Sequence, residues 1–345
     1  MNELRVLHVL PHPGGGGESY VEQLASMKGF EFDRVELTRR RNPLELVGGL
    51  GRVIRAARGD DLVHVHGDAA ALACLPAIGM RPTVITLHGS HLLRRSSGTR
   101  GRLVREGSRR AFARAAAVIA VSESELGFAR RIAPAAAGRI TLIHNGVPDA
   151  PPVPEADRRA VRETLAVEPD SYVALFVGEL SERKQPVQFA EAVARARLEQ
   201  PRIVGVLVGE GPLRGRLEPM AGDGLKLLGE RRDVTDLLAA ADAFVLPSRW
   251  EGLSYAVLEA MSLGLATVVS DGPGNPDAVG DAGLVFPVGD VDALASSLAR
   301  LAREPELGRS LGQAAAARAR ERFSLSGMIA ATAEVYERAL SRRAT

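Results

Sequence analysis

Two glutamates in the second half of the chain have the type and spacing for binding a polyhydroxylated phosphate compound. Glu251 and Glu259 lie in the segment SRWEGLSYAVLEA, where an apolar run ends at Pro247 and a helix is expected from about Ser254. Carboxylates accept hydrogen bonds from vicinal hydroxyls, and the free N–H groups of a helix N-terminus favour phosphate. Gly252 lets a ligand approach the backbone closely. The segment suits a nucleotide-sugar; the alternative is a capped amphipathic helix with an exposed glutamate.

A pair of basic residues occupies a similar strand–loop–helix junction. The segment VALFVGELSERKQP places Arg183 and Lys184 just before a predicted helix. Cations there can neutralise a diphosphate leaving group. The chain has only three lysines, at positions 28, 184 and 226. A lysine in this loop therefore indicates that the compact charge of its ammonium group is needed there. The ordinary alternative is a solvated basic pair.

The elements that must position these residues alternate between short apolar runs and helical patterns. Several of the runs are continuous in Val, Ile and Leu, which is typical of strands covered on both faces of a parallel sheet. The alternation predicts a doubly wound α/β domain. In the first half the predicted strands are Arg5–Leu10, Arg34–Leu37, Leu62–Val65, Thr83–Leu87, Ala117–Val121 and Ile140–Ile143.

A proline-rich linker separates this domain from a second one. The segment PDAPPVP, residues 148–154, has four prolines in seven residues, which excludes a helix or a central strand. We predict an N-terminal domain over residues 1–153, a second domain over 154–323, and a final helix over 325–342. The strands predicted in the second domain are Tyr172–Val177, Arg202–Val208, Leu225–Leu228, Ala243–Leu246 and Ala266–Val269. Two such domains are expected to face each other across a ligand-binding cleft.

Composition and charge narrow the class of protein. Cys74 is the only cysteine, and no signal peptide or membrane-spanning stretch is recognisable, so we expect a cytoplasmic protein. Residues 1–150 contain 21 Lys and Arg against 14 Asp and Glu, a net charge of +7. The remainder has 23 against 28, a net charge of −5. The basic half is therefore expected to meet an anionic partner.

The chain resembles the retaining GT-B glycosyltransferases with a Glu-seven-Glu motif, the group of bacterial polysaccharide, lipopolysaccharide and mannosyl transferases. Their fold is α/β, with two doubly wound Rossmann-like domains facing across a cleft. The motifs that carry the resemblance run along most of the chain: GGGGESYVEQLA, VHVHG, TLHGSH, HNGV, VGELSERK, VGEGP, the Glu251–Glu259 segment, DGPGNPDAV and AGLVFPVGD.

The resemblance implies roles position by position. Glu251 matches the glutamate that contacts donor-sugar hydroxyls, and Glu259 matches the one that holds the ribose. Arg183 and Lys184 match the cations at the donor phosphates. His88 matches a histidine on the acceptor side, near the donor sugar. Backbone contacts to the donor are implied for Gly16, Gly17, Gly178, Gly252, Leu253 and Ser254.

Three departures from the family pattern bear on the site. Glu179 stands where the family often has Arg, and a carboxylate cannot replace that Arg at a phosphate. Either Glu179 points away and Arg183 takes over, or donor binding is weak. Gln185 replaces a common Gly, and Asp277 replaces a common Glu.

The resemblance implies a retaining, metal-independent transfer from a nucleotide-sugar, with no cofactor. The donor is a UDP-sugar or GDP-mannose, and the acceptor is a hydroxyl of a glycan, a lipid-linked sugar or a small molecule. Two alternatives remain open. The chain is an inactive GT-B relative that serves as a binding or partner subunit, or it is a sugar-nucleotide epimerase or phosphorylase on the same fold.

Other ligand classes fit less well. The glycines after the first strand fail the dinucleotide pattern because its third glycine falls on Ser19 or Tyr20, and no phosphate-binding Gly-x-x-x-x-Gly-Lys-Ser/Thr loop occurs. His64 and His66 share a strand face, but strand-end histidines more often form hydrogen bonds than bind zinc, so no metal is expected.

An arginine-rich segment is the one surface feature that suggests a large partner. Residues 92–114 hold eight arginines and one glutamate, and Leu103, Val104, Ala111 and Phe112 give the segment an apolar face. This pattern suggests contact with an anionic membrane surface, with the enzyme peripheral on the inner face; the alternative is a solvated helix. Aromatic side chains for stacking bases are few here, so nucleic acid is not expected.

Overall fold

The computed structural model describes residues 3–38, 45–151 and 153–341. It divides the chain into two compact units. Unit 1 contains the chain up to Gly146 together with the segment from Leu325 onward, and unit 2 runs from Val147 to Ser324. The change of unit therefore falls at Gly146–Val147, a few residues before the position predicted from the proline-rich segment.

Unit 1 is built on a six-stranded parallel sheet with strand order β2-β1-β3-β4-β5-β6. The strands are β1 (Leu4–Leu10), β2 (Phe30–Glu36), β3 (Leu62–His66), β4 (Thr83–Leu87), β5 (Ala117–Ala120) and β6 (Ile140–Leu142). Its helices are α1 (Gly16–Leu24), α2 (Glu45–Ala56), α3 (Asp68–Ala73), α4 (His91–Arg95), α5 (Gly98–Arg114), α6 (Glu123–Ile132), a 3₁₀ turn (Pro134–Arg139) and the final helix, which is α15.

Helix α15 (Leu325–Ser341) returns to unit 1 and packs on its sheet. The Tyr336 hydroxyl lies 2.6 Å from Nδ1 of His64, and the Thr332 hydroxyl lies 2.8 Å from the hydroxyl of Tyr20 on α1. All four side chains are fully buried. Hydrogen bonding within this layer satisfies polar groups that would be costly to bury alone.

Unit 2 has the second six-stranded parallel sheet, in the order β12-β11-β10-β7-β8-β9. Its strands are β7 (Tyr172–Val177), β8 (Ile203–Val208), β9 (Leu225–Leu227), β10 (Ala243–Leu246), β11 (Ala266–Ser270) and β12 (Leu284–Phe286). The helices are α7 (Glu155–Thr164), α8 (Pro186–Glu199), α9 (Arg214–Leu217), α10 (Val234–Ala240), α11 (Tyr255–Ser262), α12 (Asn275–Val279), α13 (Val291–Arg303) and α14 (Pro305–Arg322), with a 3₁₀ turn at Glu218–Met220.

The prediction of two doubly wound parallel α/β domains is confirmed, with two differences in detail. Strand β2 begins at Phe30 rather than Arg34, because its charged residues Glu31 and Asp33 lie on an edge strand and hide the apolar pattern. Strand β12 was not predicted, because it has only three residues, between Gly283 and Pro287. It forms an edge of the sheet in unit 2. None of the helices in the described parts of the chain is long and apolar enough to cross a membrane.

Candidate functional site

Each sheet reverses its strand order at one point, and in unit 2 the predicted site residues follow the strands on either side of it. In unit 2 the reversal lies between β7 and β10. Strands β8 and β9 add to the sheet on one side of β7, and β10, β11 and β12 add on the other side. Open parallel sheets bind ligands outside the carboxyl ends of the strands at such a point. The loop after β7 carries Arg183 and Lys184, and the loop after β10 carries Glu251.

These three residues form one charged cluster. Nζ of Lys184 lies 2.9 Å from Oε1 of Glu251, and Nη1 of Arg183 donates to the same oxygen at 2.7 Å. Glu251 and Lys184 are buried. Burial lowers the pKa of Lys184, while the neighbouring Glu251 carboxylate acts in the opposite direction. Among these three residues two cations share one carboxylate, an arrangement that suits an anionic ligand.

Backbone contacts hold the two loops together. The Arg249 N–H donates to the Arg183 carbonyl at 2.8 Å, and the Glu251 N–H donates to the Pro273 carbonyl at 2.8 Å. Gly274 has φ of +90°, and a Cβ there would come within 2.5 Å of the Glu251 carbonyl oxygen, so glycine is required. A Cβ on Gly178 would lie 3.5 Å from Cδ and Cε of Lys184, an ordinary contact distance, so the Lys184 stem packs beside this glycine.

A buried polar network below these loops was missed by the sequence analysis. The Asn275 side-chain amide donates to the Ser248 hydroxyl at 3.1 Å and to the Ser270 hydroxyl at 2.9 Å, and all three residues are buried. This network links the segment after β10 to the end of β11 and the start of α12. It therefore holds the loop that carries Glu251 in place. The motif DGPGN contained the signal, since it ends in Asn275.

The segment after Glu251 leads directly into α11. Gly252, Leu253 and Ser254 are buried, and Ser254 is the residue before the helix. Its first turn offers backbone N–H groups to an anion. Glu259 lies in the second turn, half-buried, and burial raises the pKa of its carboxyl group, with no opposing hydrogen bond or charge from the described parts of the chain. A hydroxyl donor from a ligand would satisfy this carboxylate.

The departures from the family pattern have visible consequences. Glu179 is half-buried and close enough to Lys184 that its charge raises the pKa of the ammonium group. Its negative charge opposes a phosphate bound at these cations. Gln185 has φ of +56° before α8, a conformation that glycine adopts more readily. Asp277 lies in the first turn of α12.

The glycines of unit 1 divide differently from the prediction. Gly14 and Gly15, with φ of +85° and +87°, form the loop after β1, whereas Gly16 and Gly17 form the first turn of α1. The two glycines for which donor contacts are implied, Gly16 and Gly17, therefore lie in the helix and not in the loop before it. A Cβ on Gly17 would meet Cβ of His66 at 3.4 Å and Cδ2 of His88 at 3.6 Å, so α1 approaches the histidines closely.

His88 follows β4 and belongs to a layer of histidines in unit 1. His8 on β1 and His64 and His66 on β3 are fully buried, and burial lowers the pKa of all four histidines, to about 3 for His8 and His88. They are therefore neutral near pH 7. The sequence placed His64 and His66 on one strand face but did not reveal the hydrogen bonds of these histidines.

The loop that follows His88 is anchored by a buried carboxylate. Oε1 of Glu125 accepts hydrogen bonds from the Gly89 N–H at 2.8 Å and from the Ser90 hydroxyl at 3.0 Å. Ser90 has φ of +47°, so these bonds hold a strained turn. Burial raises the pKa of Glu125 to about 7, and the hydrogen bonds partly oppose that rise. Glu125 was not among the residues predicted from the sequence.

The metal question concerns one cluster within the described residues. Nitrogens of His8, His64 and His66 lie within 4.8 Å of one another. Both ring nitrogens of His64 have partners, the Tyr336 and Thr86 hydroxyls, and both of His66 have partners, His8 and His88. A metal would have to displace these bonds, so the cluster fits hydrogen bonding better than zinc.

The arginine-rich segment forms α4 and α5, but its apolar face is not available to a membrane. Val104, Ala111 and Phe112 are buried in the core of unit 1, and only Leu103 is exposed, at 74%. The prediction of an amphipathic surface helix is therefore wrong in this respect. Arginines do line the exposed side of the segment, at positions 95, 100, 102, 105, 109, 110 and 114.

Both halves of the chain match known families. Residues 4–150 match the family model described as Glycosyltransferase Family 4, and residues 171–304 match the one described as Glycosyl transferases group 1. These two ranges contain all of the site residues described above.

Curated relatives have glycosyltransferase names. The chain is 36% identical over 175 residues to UDP-Gal:alpha-D-GlcNAc-diphosphoundecaprenol alpha-1,3-galactosyltransferase of Escherichia coli, covering 47% of this chain and 45% of the relative. It is 31% identical over 222 residues to a D-inositol 3-phosphate glycosyltransferase of Streptomyces bingchenggensis, covering 58% and 48%. It is 28% identical over 297 residues to the alpha-D-kanosaminyltransferase of Streptomyces kanamyceticus, covering 79% and 76%. The matches span about half the length of the first two relatives.

Solved structures confirm the fold. Anabaena HepE in complex with UDP-glucose superposes with a TM-score of 0.82 at 20% identity, covering 97% of this chain and all of HepE. Sucrose-phosphate synthase from Thermosynechococcus elongatus gives a TM-score of 0.82 at 21% identity, covering 99% and 100%. The fold predicted from the sequence, GT-B, is therefore correct.

Proposed function

From its place among the GT-B glycosyltransferases, which both family matches and the fold support, we propose that this protein is a retaining, metal-independent hexosyltransferase. It moves a sugar from a nucleotide-diphosphate-sugar to an acceptor hydroxyl. The observation that carries the proposal is the Arg183–Lys184–Glu251 cluster, with Lys184 and Glu251 buried, at the point where the sheet of unit 2 reverses its order.

The residues of unit 2 divide the donor between them. Arg183, Lys184 and the first turn of α11 bind the diphosphate and stabilise the charge that develops as it leaves. The Glu251 carboxylate accepts hydrogen bonds from the sugar, and the Glu259 carboxylate accepts them from the ribose. Gly178, Gly252, Leu253 and Ser254 supply close backbone contact. In unit 1, the family resemblance assigns backbone contacts with the donor to Gly16 and Gly17, and the acceptor side to His88.

The reaction needs no protein nucleophile. The acceptor oxygen bonds to the anomeric carbon on the face from which the diphosphate departs, and the acceptor proton passes to an oxygen of the leaving phosphate. Glu251 supports this route, because a carboxylate paired with two cations is a poor nucleophile. The same two cations take the part that a divalent metal plays at other diphosphates.

Donor and acceptor are proposed by class. The relative from Escherichia coli is named for UDP-Gal, and HepE was solved with UDP-glucose, which favours a UDP-sugar over GDP-mannose. The acceptor is a hydroxyl of a glycan, a lipid-linked sugar or a small molecule. The same relative, named for a diphosphoundecaprenol substrate, supports the lipid-linked class.

Contact with a membrane follows from that acceptor class. We propose that the exposed arginines of α4 and α5 bind the anionic inner face of the membrane, which makes the protein cytoplasmic and peripheral. Because the apolar side of α5 is buried, attraction is mainly electrostatic, with Leu103 as the exposed apolar side chain.

A thermal-shift screen tests the proposed function. The protein is heated with UDP, GDP, ADP or TDP, each alone and as its sugar derivative. A ligand at 100 times its Kd stabilises the folded state by about 2.7 kcal/mol, a clear rise in Tm. The screen contradicts the proposal if no nucleotide raises the Tm. Product analysis with the best donor then separates transfer from epimerisation, and from a binding subunit that turns over no donor.

A further inference from the structure

Three histidines of unit 1 form a continuous hydrogen-bonded series. Nδ1 of His8 lies 2.9 Å from Nε2 of His66, and Nδ1 of His66 lies 3.1 Å from Nε2 of His88. The parallel register explains the alignment, because His8 pairs with His64 across β1 and β3, and His66 pairs with Thr86 across β3 and β4. Residues two apart on a strand share a face, so all of these side chains project from one face of the sheet.

The series lies where the sheet of unit 1 reverses its order, between β1 and β3. Ligands bind outside the carboxyl ends of strands at such a point. His8 and His66 have no exposed surface, whereas His88, just beyond the end of β4, is half-buried. The series therefore runs from the interior of unit 1 toward its ligand-binding edge.

Both ends of the series have a nitrogen without a partner among the described residues. These atoms are Nε2 of His8 and Nδ1 of His88. The three rings are neutral, since burial lowers the pKa of each, so each ring carries one proton. Two hydrogen bonds between three neutral rings then allow only two arrangements, in which all three protons sit on Nδ1 or all three sit on Nε2.

The two arrangements differ in which end carries the unsatisfied N–H. With the protons on Nε2, the N–H lies at His8, which has no exposed surface and no acceptor for it. With the protons on Nδ1, the N–H lies at His88; this nitrogen is also buried, but it belongs to a half-buried side chain at the ligand-binding edge, where a substrate oxygen could accept from it. An unpaired buried N–H is costly in proteins, which favours the second arrangement, because a bound substrate can supply the missing acceptor at His88 but not at His8 in the interior.

We propose that His8 and His66 are positioning residues that fix the ring and the tautomer of His88, so that its Nδ1–H donates a hydrogen bond to an oxygen of the bound substrate. A neutral donor of this kind recognises a sugar hydroxyl rather than attracting a phosphate charge. This proposal rests on the proposed function for the identity of the substrate, but the tautomer of His88 can be measured without any turnover.

His64 provides a matched control within the same layer. Its Nδ1 bonds to the Tyr336 hydroxyl at 2.6 Å and its Nε2 bonds to the Thr86 hydroxyl at 2.7 Å. It is as buried as His66 and its ring centroid lies 4.1 Å from that of His66, but it does not belong to the series. His64→Phe therefore disturbs the packing without breaking the path to His88.

The test is nitrogen NMR of the ¹⁵N-histidine-labelled full chain without ligand near pH 7.5. The seven histidines are assigned through single variants. We expect His8, His66 and His88 to be protonated on Nδ1 and bare on Nε2. In the variant His66→Phe, His88 should become a mixture of its two tautomers. If that variant does not fold, the same result is expected in His8→Phe. His64→Phe should lower the Tm and leave the His88 signals in the Nδ1–H pattern. His88 protonated on Nε2 in the unaltered protein, or unchanged in both series variants, overturns the proposal.

Donor hydrolysis separates this proposal from the proposed function. With the nucleotide-sugar that stabilises the protein best, His66→Phe should lower kcat about tenfold or more while the Kd for the nucleoside diphosphate stays the same. If the protein neither hydrolyses nor transfers any donor but shows the expected tautomers, the enzyme assignment is contradicted and the hydrogen-bonded series is still established. Normal kcat in His66→Phe with an altered His88 tautomer refutes the catalytic value of the series.

Discussion

Lys184 and Glu251 form a buried ion pair, with Nζ of the lysine 2.9 Å from Oε1 of the glutamate. The two residues lie in loops that follow different strands, and the pair joins those loops at the ligand-binding edge of unit 2. Arg183 shares the same carboxylate oxygen. A single carboxylate thus orients two cations, and substitutions in this cluster test the proposed chemistry most directly.

Lys184→Ala should lower transfer by about 10² to 10³ while the protein remains folded. The lost ammonium group would otherwise stabilise the departing diphosphate, and the removal of one such contact has this order of effect. Glu251 keeps its bond to Arg183, so the loop should not collapse. Steady-state turnover and circular dichroism measure the two parts. Lys28→Ala, at an exposed lysine, is the control, and near-normal turnover in Lys184→Ala would refute the assigned role.

Glu179→Arg should tighten the binding of nucleoside diphosphates by about tenfold, which is about 1.4 kcal/mol. The negative charge of Glu179 acts on Lys184 and opposes a phosphate there, so reversing it removes a repulsion and adds an attraction. Isothermal titration with UDP or GDP gives the Kd. Glu182→Arg, with the same change of charge at a side chain 67% exposed in the same loop, should change the Kd little. Equal affinity in Glu179→Arg and the unaltered protein would contradict this account.

Glu259→Gln should stabilise the ligand-free protein and weaken nucleotide binding. Burial raises the pKa of Glu259, which means that its charged form is unfavourable until a ligand donates to it. Loss of hydrogen bonds to a charged group is worth about 1.5–3 kcal/mol, or roughly 10- to 100-fold in Kd. The Kd values for a ribonucleoside diphosphate and its 2′-deoxy analogue should differ in the unaltered protein and converge in the variant. A preserved difference would place the ribose elsewhere.

The sequence predicted the fold well because the strands are continuous apolar runs. Tyr172–Val177 and Ala243–Leu246 have the predicted bounds, since both are central strands that helices cover on both faces. The predictions for the edge strands β2 and β12 were less accurate. An edge strand is more exposed to solvent than a central one, so its apolar sequence pattern is weaker. Strand order follows from chain connectivity through helices, which is why the parallel class was predictable.

The site was predictable in part, and the missing part depends on contacts between distant residues. Local motifs identified Arg183, Lys184, Glu251 and Glu259 from their strand–loop–helix junctions. No local pattern links His8 to His66, which are 58 positions apart, or shows that Glu125 anchors Gly89, which is 36 positions away. These pairings arise from the register of neighbouring strands and the packing of α6, which a single sequence does not specify.

Glu125→Gln should reduce the dependence of stability on pH. Burial raises the pKa of Glu125 from 4.5 to about 7 in the folded protein, so the folded state holds this proton more tightly than the unfolded state. The associated stability is complete below pH 4.5 and is lost as pH rises through 7, by about 3 kcal/mol at most. Urea unfolding of both proteins at several values between pH 4.5 and 8 measures the difference. The free-energy gap between variant and unaltered protein should shift in favour of the variant as pH rises; a constant gap would show that Glu125 has an ordinary pKa.

Charge reversal on α5 tests the membrane proposal. The chain should co-sediment with vesicles that contain an anionic lipid at low salt, and it should be released at high salt, because exposed arginines are screened over a Debye length. Each basic residue near such a surface contributes about 1 kcal/mol, so replacing Arg100, Arg102 and Arg105 together by Glu should weaken binding more than 100-fold. Arg309→Glu reverses one exposed charge on α14 and should leave binding nearly unchanged.

Leu103→Ser isolates the exposed apolar side chain, and a small effect there would agree with the burial of Val104 and Phe112 in the core. Absence of binding to anionic vesicles at low salt would remove the membrane from the partners of this protein.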